Sequence, residues 1–461
     1  MEQILKQEGS VKKPCHLVAM PFPGRGHINP MLNLCKLLVS NSDHPIHVTF
    51  VVTLEWLGFL SSEPAPPSNI RYASLPQVIP SEIGRANDIE GFIAATLTKL
   101  EQPFDLLLDH LTSPPPSAII YDTYMYWVVA VGQRRHIPVV SFFPMSASVF
   151  TVLYHFDLLR QHGHFPLDVS VRGNEVVDYI PGLPPTTAAD LTTFFNGPGE
   201  KLLVHTFDAF SCVNKAHCQL FTSVLEIEEQ VISSLKLKMP IPVHPIGAMI
   251  PYYDLQSTEH TSRETHSYLQ WLDAQPKDSV LYISQGSFLS VSNDQMNEIA
   301  QGIIESGIPF LWVTRGDTCL FKDGVGEKGL LVSWCHQLRV LCHPSVGGFW
   351  THCGWNSTSE AIYAGVPMLT CPIFWDQMPN NKLIVNDLKV GRRVIRNYPV
   401  SRKLVTRSEI GQIVRNFMDP ESDERADMVE RATALRDIFR KAIAKGGSAT
   451  CSLAAFVNSI S

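Results

Sequence analysis

Short, nearly continuous apolar runs recur along the first half of the chain, and a polar turn and a helical pattern follow each run. The runs are HLVAMPF from His16, IHVTFVVT from Ile46, SAIIYD ending at Asp122 and PVVSFF ending at Phe143. Such runs are typical of parallel strands that helices cover on both faces. The pattern therefore predicts a doubly wound α/β unit.

The same alternation restarts after a stretch that is first proline-rich and then polar. The second set of runs is SVLYISQGS, PFLWVTRG, GLLVSW, VGGFWTHCG and VPMLTCPIF. We predict an N-terminal domain at 1–246, a linker at 247–266, a second doubly wound domain at 267–440 and a helix at 441–461 that returns to the first domain. Because such domains bind ligands at the carboxyl ends of their strands, two facing domains would enclose a cleft.

Composition narrows the class of protein. Hydrophobic residues make up 45% of the 461 positions, and the formal net charge of -7 argues against a nucleic-acid partner. Ten cysteines occur without a Cys-x-x-Cys pair, which favours reduced thiols. No signal-peptide core and no run long enough to span a bilayer is present, so we expect a cytoplasmic protein without integral membrane association. We also expect a monomer.

The sequence FWTHCGWNSTSEAIYAGVP, from Phe349 to Pro367, changes from a strand pattern through polar residues to a helical pattern. Ser357 and Glu360 have the spacing of a capping box, which predicts a helix that begins near Ser357. The first turn of a helix has unpaired N–H groups and a positive dipole, which suit a phosphate. The alternative is an ordinary capped helix beside a buried His352.

Two longer segments identify a family resemblance. WCHQLRVLCHPSVGGFWTHCGWNSTSEAIYAGVPMLTCPIFWDQ, from Trp334 to Gln377, resembles the signature box of plant UDP-sugar-dependent glycosyltransferases. PFPGRGHINPML, near the N-terminus, resembles the opening of these enzymes. The resemblance implies the GT-B fold, in which two Rossmann-like domains face each other. It also implies that the N-terminal domain binds the acceptor and the C-terminal domain binds the UDP-sugar.

The resemblance assigns the nucleoside to four residues of the box. Trp334 would stack on uracil, and Cys335 would offer its backbone to the uracil edge. Gln337 and Glu360 would hold the ribose hydroxyls, which agrees with the preference of a diol for a carboxylate. Two alternatives stay open, because Trp334 would otherwise be a core residue and Glu360 would otherwise serve only its cap. His336 stands where the family commonly has Pro, so the local turn is expected to differ.

Further residues of the box would hold the diphosphate, and the resemblance also assigns one residue outside the box to it. They are His352, Asn356, Ser357 and, in SQGS, Ser287. Since no Asp-x-Asp pattern is present, we expect these donors to meet the charge of the leaving UDP without a metal ion.

The resemblance assigns the sugar to Trp355, Asp376 and Gln377. Asp376 and Gln377 would otherwise be a solvated strand end. In this family, Gln at the last position of the box goes with glucose, whereas His is associated with galactose. Pro144 stands where family members often have Thr, whose hydroxyl reaches the sugar, so the usual contact with the 6-hydroxyl is in doubt.

His27 and Asp122 occupy the family positions of the general base and of the carboxylate that orients it. The chemistry agrees, because a neutral imidazole can take the proton of an acceptor hydroxyl near neutral pH. A carboxylate on the other ring nitrogen fixes the tautomer and stabilises the imidazolium. The alternatives are a histidine at a helix start and an N-cap aspartate. A single displacement would invert the anomeric carbon and give a β-glycoside from an α-linked UDP-sugar.

The acceptor is expected to be a flat hydrophobic molecule such as a phenolic, flavonoid or terpenoid, glucosylated on a hydroxyl or carboxyl group. Candidate pocket residues are aromatic or apolar: Phe22, Met125, Tyr126, Phe143, Met145, Phe150 and Tyr154.

The sequence disfavours three other functions. A Rossmann dehydrogenase is disfavoured because PGRGHINP lacks the third glycine and no acidic residue clearly ends IHVTFVVT. A UDP-sugar-binding protein with little or no catalysis would not need both His27 and Asp122. Another GT-B nucleotide-sugar enzyme, such as an epimerase, is disfavoured by the signature box.

Overall fold

The computed structural model describes residues 15–41, 45–191, 203–256, 263–286, 291–314, 325–394 and 404–460. Two parallel sheets dominate it, and each is flanked by helices. Both doubly wound units predicted from the apolar runs are therefore present.

The first unit contains a seven-stranded parallel sheet. Its strands are β1 (Cys15–Met20), β2 (Ile46–Thr53), β3 (Ile70–Leu75), β4 (Ala118–Asp122), β5 (Val139–Phe143), β8 (Cys218–Phe221) and β9 (Val243–Pro245), and β6 (Val176–Val177) pairs with β7 (Thr186–Thr187) in a separate antiparallel ribbon. The spatial order in the sheet is β3-β2-β1-β4-β5-β8-β9. Since β1 and β4 are neighbours, the segments that follow them meet at one edge.

Helices connect these strands and cover both faces of the sheet. They are α1 (Arg25–Asn41), α2 (Leu54–Ser61), α3 (Ile89–Lys99), α4 (Glu101–Leu108), α5 (Trp127–Arg135), α6 (Ala147–Tyr154), α7 (Phe156–Gln161), α8 (Val169–Arg172), α9 (Leu203–Val213) and α10 (Glu229–Lys238).

The second unit contains a six-stranded parallel sheet in the order β12-β11-β10-β13-β14-β15. Its elements are α11 (Arg263–Asp273), β10 (Val280–Ser284), α12 (Asn293–Ser306), β11 (Phe310–Val313), β12 (Gly329–Val332), α13 (Gln337–Leu341), β13 (Val346–Thr351), α14 (Trp355–Ala364), β14 (Met368–Thr370), α15 (Gln377–Lys382), β15 (Gly391–Arg393), α16 (Arg407–Met418), α17 (Asp423–Ile443) and α18 (Ser448–Ile460).

Central strands such as β4 and β13 are apolar at successive positions because each sheet has a hydrophobic core on both faces. Ile119 and Ile120 are adjacent on β4, yet they belong to different cores on opposite sides of the first sheet. In the second sheet, the adjacent residues Phe349 and Trp350 on β13 likewise belong to cores on opposite sides of the sheet. Successive strand side chains point to opposite faces, so a doubly covered strand must be apolar throughout.

The predicted linker at 247–266 lies between β9 and β10. Residues 257–262 are outside the described ranges, and α11 begins at Arg263. Met249 and Ile250 are buried, so this end of the segment is packed into the protein.

The C-terminal segment crosses from one unit to the other. Helix α17 packs on α14 of the second unit, whereas α18 packs against β9 of the first sheet. Leu453, Phe456 and Val457 of α18 are buried in a core of the first unit. The C-terminal helix therefore packs back on the body of the protein, as its amphipathic pattern predicts.

Candidate active site

A cavity of about 1880 Å³ lies between the two units. Residues beyond the carboxyl ends of β1 and β4 line it from the first unit, and residues beyond β10 and β13 line it from the second. The expected cleft is therefore present, at the position where parallel sheets bind ligands.

His27 and Asp122 meet in the wall of this cavity. His27 is in the first turn of α1, Asp122 is the last residue of β4, and Nδ1 of the histidine lies 2.7 Å from Oδ2 of the aspartate. The Asp122 side chain is fully buried, and its Oδ1 accepts a hydrogen bond from the backbone N–H of Tyr124 at 3.1 Å. Because the carboxylate accepts from Nδ1–H, the imidazole keeps its lone pair on Nε2.

Helix α14 begins at Trp355, two residues before the predicted start. Gly354 is the N-cap and provides no side chain, and Cys353 before it has a φ of 68°. The predicted capping box of Ser357 and Glu360 was therefore wrong, because the left-handed residue at 353 turns the chain into the helix earlier. A glycine cap leaves the N–H groups of the first turn without a side-chain acceptor, which suits an anionic ligand.

His352 lies beside this helix start, between two glycines. A Cβ atom on Gly286 or on Gly354 would lie 2.5 Å from Nε2 of His352. Gly286 also has a φ of 76°, a conformation that favours glycine. The His352 imidazole can therefore occupy this position only because residues 286 and 354 are both glycines. Ser287, the other predicted phosphate contact, lies outside the described residues.

Trp334 has a relative exposure of 55%, although it is a large apolar side chain. It lines the cavity together with Cys335, and its ring centroid lies 4.4 Å from that of His336. The core alternative for Trp334 was therefore wrong. The His336 departure is accommodated locally, because its backbone N–H donates to the hydroxyl of Tyr268 at 3.1 Å.

Gln337 and Glu360 form one network in the cavity wall. The amide nitrogen of Gln337 donates to Glu360 Oε2 at 2.5 Å and to Ser357 Oγ at 2.9 Å, and its oxygen accepts from Tyr282 Oη at 3.1 Å. Glu360 is partly buried, and this desolvation raises its pKa to about 7. The residue thus belongs to a ligand-facing network and not to a helix cap.

Asp376 and Gln377 lie at the start of α15 and line the cavity. Burial raises the pKa of Asp376 to about 6, opposed by a hydrogen bond from Asn380 Nδ2 at 2.8 Å. Gln377 Oε1 accepts the backbone N–H groups of Ile373 at 2.7 Å and Phe374 at 3.0 Å. Both lone pairs of this amide oxygen are therefore in use, which leaves the NH₂ group as the part of Gln377 that can bind a ligand.

Two other predicted ligand residues make contacts across the cleft. The ring nitrogen of Trp355 donates to the carbonyl oxygen of Thr222 at 2.8 Å, so the indole N–H is not available to a sugar. Asn356 Nδ2 donates to the carbonyl oxygen of Gly26 at 3.1 Å. That carbonyl has no intrahelical partner four residues on, because Pro30 lacks an N–H.

The predicted acceptor pocket needs correction. Phe22 and Met145 line the cavity, but the other five candidates do not. Met125, Phe143 and Phe150 are fully buried in the core of the first unit, whereas Tyr126 and Tyr154 pack against the outside of that core. The apolar wall is formed instead by Ile89, Phe92, Ile93, Leu97, Tyr124 and Trp375.

Four of these missed residues lie on α3, where an i, i+3, i+4, i+8 pattern was visible in IEGFIAATL. Such a pattern marks a face that is turned inward, but it does not distinguish a core face from a cavity wall. The sequence therefore showed that α3 has an inward face, but it did not show that this face lines the cavity.

Two doubly wound sheets face each other across a cleft, which is the GT-B fold. A glycine-capped helix and a carboxylate network line one side of the cleft, and a histidine–carboxylate pair lines the other. Together these features define the class as a glycosyltransferase. Comparison with known proteins agrees. The model of the family described as UDP-glucoronosyl and UDP-glucosyl transferase matches residues 201–397. The chain is 51% identical to UDP-glycosyltransferase 87A2 of Arabidopsis thaliana over 446 residues, which cover 96% of each protein. It is 50% identical to UDP-glycosyltransferase 87A1 of the same plant, over 96% of this chain and 99% of that one.

A solved structure of UGT2 from Phytolacca americana, complexed with UDP-2fluoro-glucose and pterostilbene, is similar with a TM-score of 0.80 and 28% identity. The match covers 96% of this chain and 98% of that one. The chain belongs to the plant UDP-glycosyltransferase family, and the protein is an enzyme with a UDP-sugar donor.

Within the described ranges, no helix combines the length and the apolar character that crossing a bilayer requires. The same part of the chain has no cluster of three or more His, Cys, Asp or Glu side chains arranged to hold a metal ion.

Proposed function

We propose that the protein transfers glucose from UDP-glucose to a hydroxyl or carboxyl group of a hydrophobic small molecule, with inversion at the anomeric carbon. The observation that carries this proposal is the pair of His27 and Asp122, joined at 2.7 Å in the wall of the cavity that Glu360 and Asp376 also line. A protein that only bound a UDP-sugar would gain nothing from an oriented imidazole at this place.

The second unit would hold the donor. The exposed face of Trp334 offers a stacking surface for uracil, and Glu360 would accept hydrogen bonds from the ribose hydroxyls. The first turn of α14 and His352 would meet the diphosphate. These roles follow the family positions, and the polarity of each group fits the part of the ligand assigned to it.

His27 would act as the general base. Its Nε2 takes the proton of the acceptor hydroxyl while the acceptor oxygen forms a bond to C1 of the sugar. The bond between C1 and the phosphate oxygen breaks, and its electron pair leaves with UDP. Asp122 stabilises the imidazolium that results, because its buried carboxylate accepts the Nδ1–H bond throughout.

The charge of departing UDP would be met by N–H donors and not by a metal ion. The donors available are the first-turn N–H groups of α14 and the side chain of Asn356, both at the cavity. We therefore expect activity that excess EDTA leaves unchanged.

The sugar would lie between Asp376, which accepts hydrogen bonds, and the NH₂ group of Gln377, which donates them. Inverting one hydroxyl, as in galactose, would leave one of these buried groups without its partner. Such a loss costs about 1–3 kcal/mol, so UDP-glucose should be preferred over UDP-galactose by roughly tenfold or more. Pro144 supplies no hydroxyl near the sugar, so discrimination against UDP-xylose should be weaker.

The acceptor side of the cavity is apolar and aromatic, which suits a flat molecule. UGT2 of Phytolacca americana was solved with pterostilbene, and this supports a small organic acceptor here. We propose phenolics, flavonoids and terpenoids as the compounds to test first.

The decisive experiment incubates the purified protein with UDP-glucose and a panel of such acceptors, with and without EDTA. UDP release together with a β-glycoside, identified by the anomeric coupling in NMR spectra, supports the proposal. UDP binding without either product from any acceptor would favour the alternative of a UDP-sugar-binding protein. Interconversion of the UDP-sugar without an acceptor would indicate an epimerase.

A further inference from the structure

Asn380, on α15, is fully buried and lies outside the signature box. Its Nδ2 donates to the carbonyl oxygen of Cys353 at 2.9 Å and to Asp376 Oδ2 at 2.8 Å. Its Oδ1 accepts from the hydroxyl of Ser146 at 2.9 Å. Because a backbone carbonyl can only accept, the NH₂ group must face Cys353, and the orientation of the amide is fixed.

The three partners belong to three different parts of the site. Asp376 is the carboxylate assigned to the sugar, and Cys353 precedes the glycine that caps the phosphate-facing helix. Ser146 belongs to the other unit and directly follows Pro144 and Met145, which line the acceptor side of the cavity. One amide thus connects the sugar, phosphate and acceptor sides.

The position of Ser146 is itself well fixed. It is the N-cap of α6, and its oxygen accepts the N–H of Val149 at 3.3 Å. The next two backbone N–H groups, of Ala147 and Ser148, donate to the buried carboxylate of Glu228 at 3.0 and 2.8 Å. These bonds fix the position of the Ser146 hydroxyl within the first unit.

We propose that Asn380 is a positioning residue for glycosyl transfer. It orients the Asp376 carboxylate toward the sugar and, through its hydrogen bond with Ser146, fixes the position of that carboxylate relative to the acceptor side of the cavity. This rests on the proposed function. Asp376 has few ways to stay ionised and oriented, because burial disfavours its charge and Asn380 provides a side-chain hydrogen bond that opposes this. Asn380 reaches the UDP side only through the Cys353 carbonyl, and the residues assigned to uracil and ribose do not contact it, so UDP binding should depend on Asn380 less than transfer of the sugar does.

The test compares Asn380→Asp with the unmodified protein. Aspartate keeps the shape of the side chain, but as a carboxylate it repels Asp376 and donates to neither Asp376 nor the Cys353 carbonyl, so the volume is retained while both donated hydrogen bonds are lost. We expect kcat/KM with UDP-glucose to fall by about tenfold or more, and the preference for UDP-glucose over UDP-galactose to shrink. The Kd of UDP, measured by calorimetry, should change by less than about threefold.

Gln295→Ala provides the matched control. Gln295 is a buried amide of the second unit, away from the cavity, and it bonds the backbone N–H and carbonyl of Val405 at 2.9 and 3.0 Å. Its loss should lower the melting temperature without altering the donor preference. If Asn380→Asp does not fold, Ser146→Ala provides the second variant, because it removes the bond between the units and, besides that, only the N-cap bond to Val149 within the first unit. It should lower kcat/KM less, and again without weakening UDP binding.

Two results would overturn the positioning role. One is an Asn380→Asp or Ser146→Ala enzyme with an unchanged kcat/KM and an unchanged donor preference. The other is an equal loss of UDP affinity and of transfer, which would indicate general structural damage. Failure of the unmodified protein to use UDP-glucose would instead reject the proposed function, so the two failures are distinguishable.

Discussion

At the scale of single residues, the site depends on groups whose chemistry is set by one or two neighbours. His27 depends on Asp122, and Glu360 depends on Gln337 and on its partial burial. Each pair joins elements that are far apart in the chain, and each has a consequence that can be measured in solution.

Replacing His27 by Ala should lower turnover at least 10²-fold on a weakly acidic alcohol, because general-base catalysis typically contributes about 10²–10⁴-fold. UDP affinity should stay nearly unchanged, since the imidazole would act on the acceptor. Initial rates and calorimetry check the two statements. A strongly acidic phenol is the control acceptor, because it ionises without help and should lose less. Near-normal turnover of the alcohol would refute the role of His27.

UDP affinity should depend on pH through Glu360. Its pKa is raised to about 7 in the ligand-free protein, so it is mostly protonated below that pH. The ribose hydroxyls are expected to bind the carboxylate form, so binding releases a proton and affinity rises with pH. We expect the Kd to be about tenfold weaker at pH 6 than at pH 8. UDP is used instead of UDP-glucose so that Asp376 is not involved.

Glu360→Gln is the control for this prediction. The variant retains the ionisation of UDP itself but has no titrating group at this position, so its pH dependence should be shallower. A pH dependence as steep as that of the unmodified protein would show that another group is responsible.

Some features of single residues in the site were predictable from the sequence, and others were not. His27 and Asp122 were predicted from family positions, and β1 and β4 are neighbours, so they meet. Gln337 and Glu360 were predicted together, but the capping role of Glu360 was wrong, because the helix start depends on the left-handed Cys353 and no pattern in FWTHCGWNSTSE marks that conformation. Gln377 was predicted to face the sugar, but the sequence did not show that its oxygen accepts the backbone N–H groups of Ile373 and Phe374.

At the scale of elements, the apolar runs predicted the strands well because both sheets are covered on both faces. The predicted run IHVTFVVT coincides with β2 (Ile46–Thr53). The same uniformity caused the errors in the acceptor pocket. Where every strand position is apolar, the sequence does not show which face of the strand borders a cavity. Phe143 at the end of β5, predicted as a pocket residue, instead lies in the core.

The start of α14 yields a prediction at this scale. In Gly354→Ala the new methyl group would lie 2.5 Å from Nε2 of His352, so the imidazole must move. The backbone itself can accept alanine, because Gly354 has a φ of -61°. We expect UDP affinity to fall by about tenfold, which calorimetry measures.

Gly58→Ala serves as the comparison. A Cβ atom at Gly58 on α2 meets nothing within 4 Å, so this variant should bind UDP normally and be slightly more stable. Equal UDP affinity in Gly354→Ala and the unmodified protein would show that the position of His352 does not matter for the nucleotide.

At the scale of the whole molecule, the two units are joined by several bonds across the cleft. Trp355 bonds the backbone at Thr222, Asn356 bonds the backbone at Gly26, and Arg393 bonds Asp190 at 2.5 Å. Two of these acceptors are backbone carbonyls, which no residue pattern identifies. The resemblance therefore predicted that the two units face each other, but it did not predict which residues join them.

Helix α18 packs apolar side chains of the C-terminal segment into a core of the first unit. Leu453, Phe456 and Val457 are at least nine-tenths buried there. Fully burying one such side chain stabilises a protein by about 1.5–3 kcal/mol, so the three together contribute roughly 4.5–9 kcal/mol. This is comparable with the entire stability of many folded proteins, which is about 5–15 kcal/mol.

It follows that the first unit, which we propose binds the acceptor, is encoded in two separate pieces of the gene. A chimera that takes residues 1–246 from a relative with another acceptor, but keeps its own residues 448–460, would place a foreign helix on the new core. Exchanging both pieces together should give a melting temperature several degrees higher and a larger soluble yield than exchanging the first alone. Equal melting temperatures of the two chimeras would mean that the tail fits any such core, and that acceptor specificity can be moved as one continuous cassette.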